Sequence, residues 1–275
     1  MAEKLWYVDD DHSVDYERLS VLRKFFDIFF IPALNILPQS FNRFIKNSDE
    51  SAKEVLDNTT THKSLETLYN NGFSKRNKNL IQKLFSKIWF NLHNSKAVRN
   101  RLKLVEKEVK NVIEKIDKGD DDIRILSIAS GSSRAIFEAL SRIDQNINKC
   151  SVVFLDKNKE ALEYSQNLQQ KILPITPSGW QYKWVEDNAN NFKNYFNGEN
   201  SLDLVEMVGL LDYFDQERAF KILRNIYKHL QDGGTLITAN ITDNKERKFI
   251  TKVVNWPMIY REPEEVVNLI IKAGF

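Results

Sequence analysis

Cysteine is almost missing from this 275-residue chain; Cys150 stands alone. No internal disulfide can form, and such usage fits a reducing compartment. Histidine is nearly as scarce: His12, His62, His93 and His229 are scattered, at no spacing that ligates a metal, and none is expected. A surplus of one charge is lacking as well. Forty Lys/Arg face 38 Asp/Glu, a net charge of +2, which excludes acidic disorder and argues against a strongly basic nucleic-acid binder. No apolar run is long enough to span a bilayer, since the richest, FFDIFFIPALNIL (25–37), carries Asp27 and Pro32. The opening MAEKLWYVDDDHSVDYERL has no apolar h-region and does not read as a signal peptide. A soluble, cytoplasmic protein is expected.

What is present is a sizeable core, with 42% hydrophobic residues, and an uneven spread of charge. Residues 1–62 hold seven Lys/Arg and eleven Asp/Glu, whereas 63–118 hold fourteen and five. The basic segment is either a set of solvated helix faces or a lid that draws in an anionic substrate or a membrane surface. Residues 1–118 show no strand alternation, and their periodicity predicts helices over about 14–31, 50–58, 62–71, 77–93 and 96–117. The last is the clearest, with Leu102, Val105, Val109, Val112 and Ile116 at helical spacing. KGDDD (118–122) breaks the pattern, so a domain boundary is expected at 118, with a helical lid region before it and a second domain over 119–275.

Beyond that point strands and helices alternate. Strands are predicted at 123–128, 150–156, 182–187, 201–209 and 234–241, and helices at 134–142, 158–172, 216–230 and 262–275. Pro263 falls in the first turn of the last helix, where its missing N–H costs nothing. Such alternation implies parallel pairing with right-handed crossovers: an α/β, doubly wound, Rossmann-like sheet behind an all-helical N-terminal region. Sheets of this kind bind ligands at the carboxyl ends of their strands.

Those ends carry suitable groups. LSIASGSSRAIF (126–137) turns from strand to helix through Ser127, Ala129, Ser130 and Gly131, small residues that let backbone approach a ligand at a helix N-terminus. Asp156 and Lys157 close the second strand, where a carboxylate can accept from both hydroxyls of a ribose; Asp156 could equally cap the helix beginning nearby. Asp187 and Asn188 follow the third strand, either against an adenine or as a polar turn. Gly209, Leu210 and Asp212 follow the fourth. Together they favour an adenosine-containing ligand. Glycine is sparse, and the G-x-G-x-x-G that nests a pyrophosphate is absent, with Gly131 alone in the loop. S-adenosylmethionine has no phosphate, and one central glycine suffices for it.

The order ILSIASGSS, VVFLD, VEDNA, DLVEMVGLLDYF and LQDGGTLITANI resembles the class I S-adenosylmethionine-dependent methyltransferases, over about residues 97–275. More narrowly, AVRNRL, GLLDYF, TANI, VVNWPMIYR and AGF resemble a bacterial subgroup associated with fatty-acid-type methyl esters such as the 3-hydroxypalmitic acid methyl ester signal. The resemblance implies a methyltransferase using S-adenosylmethionine, with a small-molecule or lipid-like acceptor. This chain departs from the family pattern at Ser127, where an acidic residue is usual, and at Ala129, where a glycine is usual; Glu206 or Asp212 could replace the acid. The family fold also usually has two further strands, the last antiparallel, whose lack would leave an exposed sheet edge.

Methyl transfer from a sulfonium has a good, neutral leaving group, so positioning supplies most of the acceleration. A carboxylate acceptor needs no base, only a cation and a dry pocket. Arg261 is the first choice for the cation, then Arg99 and Arg101, with Trp256 and Tyr260 as pocket walls; each is equally readable as ordinary packing or surface pairing. Cys150, at a strand start, reads as a small core residue, and His93 as packing or a base. The stripe in VLRKFFDIFFIPALNILP (21–38) could pack on the sheet, line an acyl tunnel or rest on a membrane. Two other functional classes stay open: a module that binds S-adenosylmethionine without turnover, and an RNA methyltransferase using the basic 63–118 segment.

Overall fold

Short runs of Val, Ile, Leu and Phe, flanked by turn residues, build the sheet because parallel strands are covered on both faces. The computed structural model describes residues 12–18, 21–70, 80–116, 122–143, 149–196 and 198–275. Within them β1 (Ile123–Ile128), β2 (Cys150–Asp156), β3 (Trp180–Glu186), β4 (Leu202–Val208) and β5 (Leu230–Ala239) form one sheet of order β3-β2-β1-β4-β5, parallel throughout. The expected doubly wound α/β fold is the one observed. Its switch point lies between β1 and β4, where consecutive crossovers leave β1 in opposite directions.

Side chains alternate across the pleat and fill two cores. On one face Ile125, Val152 and Phe154 pack with α6 (His93–Lys115), through Val105, Val109 and Ile113, and with α7 (Arg134–Leu140) and α8 (Lys159–Ile172). Of the stripe read from the sequence of α6, Val105 and Val109 are buried and Val112 and Ile116 pack beside them half-buried, while Ile113, outside the expected stripe, is fully buried. Cys150 lies fully in this core, and burial pushes its thiol up to about 12, so it is an inert packing residue. On the other face Leu126, Leu155, Val205 and Met207 meet α9 (Gln216–His229) and α11 (Pro263–Ala273).

Several stretches differ from expectation. The fifth strand begins at Leu230, not 234, because Leu230 already pairs with Leu202 before the ladder is interrupted and resumes at Leu204–Thr235. Gly234 sits in that irregularity, and a Cβ there would lie 2.9 Å from the Gln231 carbonyl oxygen and 3.0 Å from that of Leu202. Helices at Phe41–Ser48 and Arg247–Lys252 are unexpected as well.

The helical part comprises α1 (Val21–Asn35), α2 (Phe41–Ser48), α3 (Glu50–Asp57), α4 (His62–Tyr69) and α5 (Leu80–Phe90), with α10 (Arg247–Lys252) joining them from far along the chain. Two compact units result: residues 1–104 with 243–258, and residues 105–242 with 259–275. The core of the first unites Ile31, Ile45, Val55 and Trp89 with Phe249, Val253 and Trp256. The boundary expected at 118, the first residues of the helix expected over 77–93 and part of that over 14–31 lie outside the described residues.

A buried polar contact closes the start of this helical unit. Arg99 donates to both carboxylate oxygens of Glu17 and to the Phe90 carbonyl. Burial alone would raise the Glu17 carboxyl, but the bonds and charge of Arg99, aided by Lys96 and Lys103, outweigh it and hold it below its ordinary value. The depressed value means that the pair stabilises the fold above about pH 4.5 and that this contribution is lost as pH falls through the folded value. Thermal melts of Glu17→Gln and the parent chain should therefore differ at neutral pH and converge in acid.

Candidate functional site

The loop after β1 is bent by three residues in the left-handed region: Ala129 (φ 54°), Gly131 (φ 54°) and Ser133 (φ 56°). Only the glycine adopts this at no steric cost; each of the others costs roughly 1–2 kcal/mol and must be held. Polar bonds hold them. The Ser130 N–H donates to the Leu155 carbonyl (3.1 Å), and the Gly131 N–H donates to Asp156 Oδ2 (2.9 Å). Behind the loop, Trp184 Nε1 donates to Ser165 Oγ (3.0 Å), and Ser165 Oγ donates to Ser133 Oγ (3.0 Å). Sequence reading missed Ser165 and Trp184, whose roles show only once α8 and β3 lie behind the loop.

Asp156 is thus a tie between two strand ends. Its Oδ1 accepts from the Asn158 N–H at 2.8 Å while Oδ2 holds Gly131, and each oxygen keeps a lone pair for a further donor. Lys157 beside it is exposed. Ser130 Oγ is buried at the loop tip with no hydrogen-bond partner, a polar atom left over for a ligand.

The missing acid of β1 finds its counterpart across the ladder. Ser127 pairs in register with Glu206 of β4, and its Oγ donates to Glu206 Oε2 at 2.5 Å. Glu206 Oε1 accepts from the Val208 N–H at 3.1 Å. A carboxylate therefore stands at the switch point, supplied by the neighbouring strand. Asp212, the other possible replacement, is 2% exposed and otherwise engaged: its Oδ1 accepts from the Ile241 N–H and its carbonyl from the Ile259 N–H.

At the end of β3, Asp187 is spent on its own turn. It accepts from Tyr195 Oη (2.6 Å), Asn191 Nδ2 (2.7 Å) and the Asn188 N–H (2.6 Å). These bonds, that from Tyr195 first, lower the Asp187 carboxyl below its ordinary value, and the same bond raises the Tyr195 phenol. Asn188 Oδ1 accepts from the Asn190 N–H and caps the 3-10 turn of Ala189–Tyr195. Gly209 takes φ 92° directly after β4, with Leu210 following it. Gly131, Asp156, Asp187 and Gly209 all stand at the carboxyl ends of adjacent parallel strands.

The residues offered for the acceptor divide differently. Arg261 is buried, and its Nη1 donates to the Leu211 carbonyl (2.6 Å) and to Asn240 Oδ1 (2.7 Å), while Nη2 donates to the Phe214 carbonyl. Three of its five N–H groups pin the loop after β4 to the chain after β5. Tyr260 precedes it, half-buried. Trp256 belongs to the core of the helical unit. Arg99 is taken up by Glu17, Arg101 is half-buried on α6, and His93 Nε2 pairs with Asp27 Oδ2 at 2.7 Å.

Comparison with known proteins now adds the decisive observation. A family model described as "Putative methyltransferase" matches residues 56–275. The chain belongs to this methyltransferase family. Among curated protein sequences none matches. Solved structures similar to this methyltransferase include the CurJ carbon methyltransferase, 15% identical over 82% of this chain and 60% of that one, at a TM-score of 0.51. Magnesium protoporphyrin IX methyltransferase (ChlM) from Synechocystis PCC 6803, solved with bound SAM, is 12% identical over 82% and 86% of the two chains, at 0.45. A SAM-dependent methyltransferase from Leishmania major is 14% identical over 76% and 71%, at 0.43. At such identities the likeness concerns the fold.

Proposed function

We propose that this methyltransferase takes its methyl group from S-adenosylmethionine and delivers it to a small-molecule or fatty-acid-type carboxylate. The observation that carries the donor half is the Ser127–Glu206 pair at the switch point, one strand away from the Gly131–Asp156 tie. The donor supplies an electrophilic methyl on a sulfonium whose sulfur leaves as a neutral thioether, so no residue need protonate a leaving group. Asp156, with a lone pair on each oxygen, suits two adjacent ribose hydroxyls. Glu206 suits the ammonium of the methionine portion, and Ser130 Oγ with the loop backbone suits its carboxylate. The Asn188 amide can turn its Nδ2 to a ring nitrogen, whereas Asp187 serves by fixing the turn that carries Asn188.

The acceptor half draws on the AVRNRL, GLLDYF and VVNWPMIYR segments read above and on the chemistry of a carboxylate, which attacks as the anion and requires no general base.

Calorimetry with S-adenosylmethionine and with its demethylated product tests the donor. Glu206→Gln removes a charge but keeps the shape, and it is expected to weaken donor binding about 10–100-fold, the worth of one charge-assisted hydrogen bond. Transfer of a tritiated methyl group to a lipid extract, in the absence of transfer to total RNA, is the expected acceptor result. Transfer to RNA alone would overturn the acceptor assignment, and donor binding without any transfer would point to a non-catalytic binding module.

A further inference from the structure

We propose that the outer face of α1 and the adjoining face of α10 form a docking surface for an anionic lipid bilayer. The alternation of environment along α1 is the starting point. Asp27 and Ile31 are buried in the helical unit, whereas Ile28 is 55%, Phe29 75% and Ile36 83% exposed. Residues 28, 29, 32 and 33 fall on one side of α1, and in this chain they are Ile, Phe, Pro and Ala, with Ile36 following in the turn after the helix. A stripe of large apolar side chains turned to solvent is costly unless something apolar covers it.

The charge beside the stripe selects the cover. Ile36, Leu37 and Pro38 share a surface groove with Lys248, Thr251 and Lys252 of α10. Lys248 and Lys252 are exposed, one turn apart, and no described carboxylate pairs with either. A bilayer with anionic headgroups offers the two things this face lacks: an apolar layer for the stripe and phosphates for the ammonium groups, at the depths where an interfacial helix lies. A second copy of the chain fits less well, because a two-fold contact through this groove would bring the same lysines toward one another. Among the described residues no helix is long and apolar enough to cross a membrane, and α1, at 15 residues or roughly 22 Å, is suited to lie in the interface.

The test is co-sedimentation of the full chain with vesicles of phosphatidylcholine alone or mixed with phosphatidylglycerol, at low and high salt. The readout is independent of methyl transfer, so its failure would leave the donor and acceptor assignments standing. Binding is expected to the mixed vesicles and to fall with salt. The double variant Phe29→Asp/Ile36→Asp should abolish it. Lys248→Gln/Lys252→Gln should weaken it on the order of 25-fold, about fivefold per lysine. All four side chains are exposed, so thermal melts should not move. Failure to bind the mixed vesicles would overturn the proposal, as would binding that survives Phe29→Asp/Ile36→Asp. Sedimentation velocity showing a dimer that these two substitutions dissociate would assign the face to a second copy instead, and would also overturn it.

Discussion

Arg261→Ala is expected to destabilise the protein by about 3 kcal/mol, a large part of the total stability of an ordinary domain. The guanidinium is buried and serves the Leu211 and Phe214 carbonyls and the Asn240 side chain together. Truncation removes one donor from each of the three acceptors and leaves the buried Leu211 carbonyl with its bond from the Phe214 N–H alone. The neighbouring bonds from Ile241 and Ile259 to Asp212 hold the same two loops, so the loss would spread to them. Arg261→Lys should recover only part of the loss, because one ammonium cannot reproduce a planar fork reaching three oxygens. Thermal and urea melts read this directly. A guanidinium serving mainly to hold an acceptor would behave otherwise, raising KM in both variants while the melting temperature stayed near that of the parent chain.

Asp156→Ala is expected to weaken binding of S-adenosylmethionine by about 2–3 kcal/mol, or roughly 30–150-fold by calorimetry. Two losses combine. The acceptor pair for the ribose disappears, and the Gly131 and Asn158 N–H groups lose the carboxylate that fixes them. The second loss matters because Ala129 and Ser133 are held in costly conformations that the loop keeps only while it is tied down. Asp156→Asn separates the two contributions: its amide oxygen can still accept from one backbone N–H, but the charge is gone. An affinity unchanged in both variants would remove Asp156 from the donor site.

The inner strands β1, β2 and β4 were legible because they are mostly apolar runs broken by turn residues, a pattern set by burial on both faces and visible without neighbours. The long helix α6 was legible for the same reason at helical period. Helix α2 was not: its eight residues after Pro38 bury only Ile45, so the periodic signal is one residue deep. Gly131 and Asp156 stood out because a small-residue turn into a helix, followed by a carboxylate at the end of the next strand, suits a ribose-bearing ligand. What stayed hidden was pairing. Nothing in the letters around Arg261 says whether its partners are a ligand or three oxygens of its own chain. Ser165 and Trp184 look like ordinary helix and strand residues until Ser133 lies behind them. Glu206 was one of two possible substitutes for the absent acid, and the register of β1 on β4 favours it by setting it opposite Ser127.

The helical core is assembled from distant parts of the chain: Phe249, Val253 and Trp256 complete a cluster begun by Ile31 and Ile45. During synthesis the early helices leave the ribosome long before that closing piece exists, and at ordinary elongation rates the wait is on the order of ten seconds. For that interval their apolar faces are bare. The same arrangement makes the helical part impossible to excise by a single cut, since any fragment ending before residue 243 carries a hole where the last strip of its core belongs.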